Sequence, residues 1–353
     1  DIIAGISLYR PGPMDFIPKY IKGKNNHDAV VYSCPQLEPI LAPTYGCIVY
    51  QEQVMQIVRD LGGYTMGRSD LVRRAMSKKK QSVMEKERAN FIYGNQEENV
   101  PGCISKGISE QVASGIYDDM LDFAKYAFNK AHAACYAVVA VQTAYLKYYY
   151  PVEFMAALMT SVIDFPKKVC EYIMTCRSVG ITILPPDVNE GQAYFSVCGE
   201  KSIRYALTAV KSIGKPLVDE IVQERQAGGL NDFITRLAER NMNKHAIENL
   251  IKSGALDSLG GTRKQFMSVY AQMLDRVTKD KRNNLAGQMS LFDIVDDSRK
   301  AEFDFRMPEL EEYPKEMLLA FEKEVLGFYL SGHPLEEYQE LWQKYVTNNT
   351  NDF

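Results

Sequence analysis

Apolar and polar positions alternate with a helical period over most of this chain. In "YQEQVMQIVRDLGG" (50–63), Val54, Ile57, Val58 and Leu61 recur at i, i+3, i+4 and i+7, and Gly62 supplies a C-terminal stop. That spacing predicts an amphipathic helix with one buried stripe. Ser69 can cap the next helix, where Leu71, Val72, Ala75 and Met76 form an apolar side that turns Arg73 and Arg74 the other way. Ser82 and Glu85 have capping-box spacing and restart a helix after three lysines. Pro151 suits the first turn of "PVEFMAALMTSVI". The longest apolar run, "AACYAVVAVQTAYL" (133–146), is too short to span a bilayer and reads as a buried helix.

Elsewhere the helical period breaks. Residues 1–46 carry loop signals in "RPGPMDF", "KGKNN" and "APTYG". "LPPDVNEG" (184–191) marks a boundary, and "YFSVCGEKSIRYAL" (194–207) places Gly199 between two β-prone runs, a hairpin. Helical hairpins are expected at 205–226 and 243–277, then a charged, loose stretch to about 308, then a last amphipathic helix at 314–329. The fold class expected is mainly α with one small β-hairpin, divided into 1–190, 191–278 and 279–353.

Composition changes this picture little. Apolar residues make up 46% of 353, enough for a sizeable core, and the net charge of −4 argues against a general nucleic-acid coat. Any nucleic-acid contact must therefore be local. Seven scattered cysteines without a CxxC pair, and four isolated histidines, read as reduced thiols of a cytoplasmic protein with no metal site and no membrane partner. The opening Asp1 and closing "TNNTNDF" read as cuts within a longer protein.

Against that acidic background, "DLVRRAMSKKK" (70–80) gathers Arg73, Arg74, Lys78, Lys79 and Lys80 against Asp70 alone. Arg74 and Lys78 are like charges at i, i+4, which costs an isolated helix roughly 0.2–0.5 kcal/mol. A charge-assisted hydrogen bond to a bound anion is worth roughly 1.5–3 kcal/mol. A polyphosphate would therefore offset the repulsion several times over, although a solvated charged face is the plainer reading of the lysines. A second cluster, "KYAFNKAHAACYA" (125–137), sets Phe128, Asn129, Lys130 and His132 at a helix start, where they either cap the helix or meet an anion or nucleobase.

Taken together, "RPGPMDF", "PTYGCIVYQEQVMQI", "GYTMGRSDLVRRAMSKKK", "FAKYAFNKAHAACYAVVAVQTAYLKYYYPVEFMAALM", "ILPPDVN", "LIKSGALD" and "LGFYLSGHPLEEY" occur in order along the chain. In these stretches the chain resembles the family-C replicative DNA polymerases of bacteria, the family of the DNA polymerase III α subunit. The resemblance covers essentially the whole chain. It implies a multi-helical fingers domain over 1–190, tandem helix-hairpin-helix motifs over 191–278, and a clamp-binding segment over 279–353 leading to an OB-fold. It implies that Arg73 and Arg74 carry the incoming dNTP triphosphate, with Lys78 assisting and Lys79 and Lys80 tracking DNA phosphates. Asn129, Lys130 and His132 match an element beside the nucleotide, and Arg10, Tyr50, Gln51 and Gln53 match motifs lining the same cleft. The palm carboxylates that bind Mg²⁺ have no match here, so the resemblance implies positioning without catalysis by this chain alone.

"VKSIGKPLVDEIVQER" (210–225) has helix-hairpin-helix character, with Lys211, Ser212, Gly214 and Lys215 as DNA-backbone candidates. Ser212 stands where a first glycine is common, which weakens the expectation of a tight phosphate nest. "LIKSGALDSLGGTRKQF" (250–266) is the second candidate, through Gly254, Arg263 and Lys264. Both also read as plain αα-hairpins with glycine C-caps. "GQMSLFDIVDD" (287–297) is an apolar island whose Gln288, Met289, Ser290, Leu291 and Phe292 resemble a sliding-clamp-binding pentapeptide. The partners implied are primer-template DNA, dNTP, the β sliding clamp and other replisome subunits. The rival expectation is a non-catalytic helix-hairpin-helix scaffold that binds DNA and the clamp.

Overall fold

The computed structural model describes residues 1–77, 81–124, 128–225, 228–238, 242–285, 307–338, 341 and 344–346. The chain divides into two compact units, Asp1–Tyr145 and Leu146–Phe353.

The first unit holds α1 (Ile2–Leu8), α2 (Ile17–Asn25), α3 (Glu38–Leu41), α4 (Gln51–Gly62), α5 (Met66–Ser77), α6 (Gln81–Tyr93), α7 (Glu110–Ala124) and most of α8 (Lys130–Tyr149). Helix α4 is its axis and packs against α5, α6 and α7. Val54, Ile57, Val58 and Leu61 are each 0% exposed, so the predicted stripe is fully inside. Burying each such side chain contributes roughly 1.5–3 kcal/mol. The helix stops at Gly63, whose φ of 78° is left-handed and free of strain only for glycine.

Two expectations need correction here. Helix α5 starts at Met66, ahead of Ser69; Thr65 Oγ1 accepts from the Arg68 N–H, while the Ser69 hydroxyl donates back to the Thr65 carbonyl inside the helix. Val72, Ala75 and Met76 are buried, but Leu71 points outward at 64% exposure. Helix α8 is a helix as expected but is not a buried one. Only Ala133 and Ala137 are buried, while Val138, Val139 and Val141 are more than half exposed.

The second unit continues with α9 (Pro151–Ser161), α10 (Pro166–Ser178), α11 (Lys215–Gln223), α12 (Leu230–Leu237), α13 (Lys244–Ser253), α14 (Arg263–Leu285) and α15 (Lys315–Leu326). Its sheet is β1 (Thr182–Leu184), β2 (Ser196–Val197) and β3 (Ser202–Arg204), in the order β1-β3-β2. The hairpin β2–β3 turns through Gly199 at φ 79° as expected. Strand β1 joins it in parallel, Ile183 opposite Ile203, which the hairpin reading did not foresee. Helix α13 packs on α14 and α15, and α12 on α14. Residues 205–214 form no first helix of a hairpin pair; they carry one short turn, Leu207–Ala209, before α11. Among the described residues, no helix is long and apolar enough to cross a membrane.

Candidate functional site

The first-cluster arginines meet at one acid. Asp70 Oδ1 accepts from Arg73 Nε at 2.9 Å and Nη2 at 2.7 Å, while Oδ2 lies 2.7 Å from Arg74 Nε. The i+3 and i+4 spacing on α5 brings both guanidiniums onto the same carboxylate. They hold that carboxyl below its usual range, the Arg73 hydrogen bond first among the causes. Arg73 reaches further, donating from Nη1 to Gln51 Oε1 at 3.1 Å. It is about one-fifth exposed, whereas Arg74 is about three-fifths exposed.

Gln51 opens α4 and joins this pair to the second cluster. Its backbone N–H donates to the Phe128 carbonyl at 3.0 Å, beside a bridge between Tyr50 and Phe128. Glu52, next along, closes the start of α8. Its carboxylate accepts from Asn129 Nδ2 at 2.9 Å and from the Lys130 N–H at 3.0 and 3.1 Å. An acid there complements the positive end of the helix. Asn129 caps the same helix, its Oδ1 accepting from the His132 N–H at 2.8 Å. Lys130 Nζ lies 5.5 Å over the Tyr50 ring, and Arg10 Cζ lies 4.6 Å over the Phe128 ring. His132 lies between Phe128 and Tyr136, at ring centroid distances of 5.4 and 4.8 Å.

The structure thus gathers Arg10, Tyr50, Gln51, Arg73, Arg74, Asn129, Lys130 and His132 around the N-terminus of α4. Gln53 belongs elsewhere. It is 5% exposed and lies on the same stripe as Val54 and Ile57. Its Oε1 accepts from the N–H groups of Val49 and Tyr50, and its Nε2 donates to the Ile40 carbonyl and Thr44 Oγ1. With its hydrogen-bonding capacity turned inward, it positions the α4 start rather than lining a cleft. Tyr50 is likewise 5% exposed and offers little free surface. Lys78, Lys79 and Lys80 lie outside the described residues, as do Gln288, Met289, Ser290, Leu291 and Phe292. Asp70 and Glu52 were not anticipated.

The hairpin candidates separate clearly. Ser212 adopts φ 64°, the left-handed conformation, despite carrying a side chain. Ile213 is 4% exposed and plugs the core, while Lys211, Ser212, Gly214 and Lys215 are exposed around it. Lys211 is pinned by its backbone, donating to the Val325 carbonyl and accepting from the buried Asn249 amide at 2.7 Å. The turn therefore presents two cations and the start of α11 to solvent.

The second hairpin does the opposite. Arg263 is 8% exposed, donates to Asp257 at 2.8 Å and to the Lys252 carbonyl at 3.2 Å, and packs where a Cβ at Gly254 would stand. Gly254 itself is the left-handed cap of α13. The Glu312 carboxylate already occupies the start of α14, accepting from the N–H groups of Arg263 at 2.8 Å and Lys264 at 3.2 Å. Lys264 Nζ lies 5.8 Å over the Tyr313 ring. The Arg263 guanidinium and the first N–H groups of α14 thus have partners within the fold, which argues against the DNA contact expected of Gly254, Arg263 and Lys264.

Residues 1–99 match the family described as bacterial DNA polymerase III alpha subunit finger domain, and residues 180–266 match the helix-hairpin-helix motif. The chain is 40% identical over 353 residues to DNA polymerase III subunit alpha of Borreliella burgdorferi, covering 99% of this chain and 30% of that protein. The protein of the same name from Thermus aquaticus is 42% identical over 352 residues, covering 97% of this chain and 27% of the relative. Over nearly its whole length the chain is similar to DNA polymerase III α subunits. It spans less than a third of the length of these relatives. The finger match covers the whole Arg73–Gln51 arrangement, and the helix-hairpin-helix match covers both the Ser212 turn and the Arg263 bracket. Among the described residues, no group of three or more His, Cys, Asp or Glu side chains is placed to hold a metal ion.

Proposed function

We propose that this chain is the nucleotide- and DNA-positioning part of a replicative, template-directed DNA polymerase. The observation that carries this reading is the convergence of Arg73, Arg74, Lys130 and His132 around the start of α4, in a finger-family sequence. Asp70 stands where a ligand's anion would go: it engages the two guanidiniums that a triphosphate would take. An incoming dNTP displaces Asp70 and gains bidentate hydrogen bonds from Arg73 and Arg74. Lys130 and the first turn of α8 add positive potential, and the tilted Phe128–His132–Tyr136 cluster offers rings to a base. Nucleotidyl transfer needs in-line positioning and charge neutralisation, and these residues supply the positioning share. Mg²⁺ and its ligands are assigned to the rest of the full-length protein.

DNA-backbone contact is assigned to the Ser212 turn, through Lys211, Lys215 and the start of α11. The 288–292 segment is assigned to the β sliding clamp. The test of the nucleotide role is steady-state kinetics of the full-length polymerase carrying Arg73→Ala or Arg74→Ala. The expected result is a rise in KM for dNTP or a fall in kcat of about 10–100-fold, as one charge-assisted hydrogen bond is removed, with primer-template affinity retained. Weakened DNA affinity with unchanged dNTP kinetics would instead favour the non-catalytic scaffold.

A further inference from the structure

We infer that a cavity in the second unit, walled by α10, the end of α15 and the segment after it, is a nucleotide-binding site. Its ligand is either a free nucleotide or one nucleotide of a DNA single strand. The cavity holds about 800 Å³ and opens to solvent, within the range of small-molecule sites.

Its chemistry is mixed in the way a nucleotide needs. Ile173 and the buried Phe328 make an apolar wall. Three basic side chains, Arg177, Lys323 and His333, share the lining with one acid, Glu336. That acid is engaged outside the group, accepting from Lys315 Nζ at 2.9 Å, which offsets its repulsion of an anion. Tyr329 stands between Lys323 and His333, whose Nδ1 accepts from the Leu335 N–H at 3.1 Å. Lys323 Nζ lies 5.4 Å from its ring centroid and the His333 ring lies 5.4 Å away, edge to face.

A base stacks on the Tyr329 ring while a phosphate draws Lys323 away from it, replacing a cation–π contact with an ion pair. Arg177 is held in place for the same phosphate. One of its N–H groups donates to the Leu330 carbonyl at 2.6 Å, and a guanidinium has five. An acidic peptide would use the cations but not the ring, and an apolar ligand the ring but not the cations. The site is independent of the Arg73–Arg74 arrangement, so either reading can fail alone.

Cys170 lines the cavity and is half-buried, while Cys198 on the β2–β3 hairpin is also half-buried and does not line it. Maleimide alkylation of both thiols, followed by peptide mass mapping, therefore reports occupancy with an internal reference. The probes are dTMP and an eight-residue oligo-dT, titrated separately. Either probe should slow alkylation of Cys170 and leave Cys198 unchanged. Lys323→Ala should raise the protection midpoint about tenfold, as expected when one charge-assisted hydrogen bond is removed. Protection by dTMP identifies a free nucleotide as ligand; protection by oligo-dT alone identifies single-stranded DNA. Anisotropy of labelled probes on the wild type, Lys323→Ala and Tyr329→Ala repeats the measurement without the thiol. No protection and no anisotropy change with either probe, or binding indifferent to both substitutions, overturns the site.

Discussion

Asp70 accepts two hydrogen bonds from Arg73 on a single oxygen, at 2.7 and 2.9 Å, and turns its other oxygen to Arg74. One carboxylate thus occupies both guanidiniums that are proposed to carry the triphosphate. A nucleotide must compete with it. Asp70→Asn keeps the shape and removes the charge, so KM for dNTP in the full-length polymerase should fall severalfold. The gain should be larger for the triphosphate than for the monophosphate, because losing a nearby negative charge favours the more highly charged ligand. A raised KM would mean that Asp70 preorganises the arginines more than it competes with the ligand.

Gln53 is a second case in which a polar residue of the site region is internal. It satisfies two backbone N–H groups, one carbonyl and one hydroxyl. Gln53→Leu preserves volume and orphans these partners, each buried one costing about 1–3 kcal/mol. The variant should lose about 3 kcal/mol or more in urea unfolding, whereas Gln51→Ala, on the half-buried face, should lose under about 1 kcal/mol. Equal losses would contradict the assignment of Gln53 to the frame.

How far the sequence discloses this fold depends on the separation of the partners. The α4 stripe and the Gly199 turn are local, so periodicity and turn chemistry reveal them. Asp70 could have been found the same way, from its i+3 and i+4 spacing to the two arginines. Glu52 could not, because its partners Asn129 and Lys130 lie nearly eighty residues away. The same distance problem hides Glu312 at the start of α14 and makes Arg263 look free. Strand β1 is three residues long and pairs only through Ser202–Arg204, too little for a pattern to declare. On α8 the composition misleads differently: apolar runs imply burial, yet Val138 and Val141 are exposed, with the packing done by two alanines.

The contrast between the two hairpins yields a salt-dependence prediction. Exposed Lys211 and Lys215 flank the Ser212 turn, while Arg263 is enclosed. Removing one cation from a DNA phosphate should lower the slope of log K against log salt by about 0.7–0.9. Lys211→Ala and Lys215→Ala should each weaken binding of this chain to duplex DNA with that reduction in slope. Lys264→Ala should change neither, and Arg263→Ala should lower the unfolding midpoint by leaving Asp257 unpaired. A salt slope unchanged in both Lys211→Ala and Lys215→Ala would remove the turn from the DNA interface.

The island at 288–292 is tested by titrating the chain with a bacterial sliding clamp. Burial of Leu291 and Phe292 contributes roughly 1.5–3 kcal/mol each, against an association cost of about 4–15 kcal/mol. Binding by this chain alone should therefore be weak, and Leu291→Ala with Phe292→Ala should abolish it. In the full-length polymerase, tethering through DNA raises the effective clamp concentration, so the same pair should cost processivity before it costs synthesis on short templates. Clamp binding that survives the double substitution would place the interaction elsewhere.

Acid sensitivity follows from carboxylates held low by partners. Hydrogen bonds from Arg73 lower Asp70, those from Arg88 lower Asp118, and one from Lys252 lowers Glu248. Free carboxylates titrate near about 3.9–4.3. A group depressed in the folded state contributes fully above that range and loses its contribution as pH falls through its folded value. Asp119 acts in the opposite sense: burial raises its carboxyl, so its contribution declines as pH rises. With Glu98 and Glu336, which lysine and arginine hydrogen bonds also lower, five depressed carboxylates stand against one raised among the described residues, giving a net loss of stability below about pH 4. Urea midpoints measured from pH 3 to pH 7 should rise steeply to about pH 5 and then level. In Asp118→Asn with Glu248→Gln the acid limb should be shallower, because two of the titrations are gone, and the plateau should be lower. Parallel curves for the variant and the wild type would show that these two ion pairs contribute nothing to the acid limb.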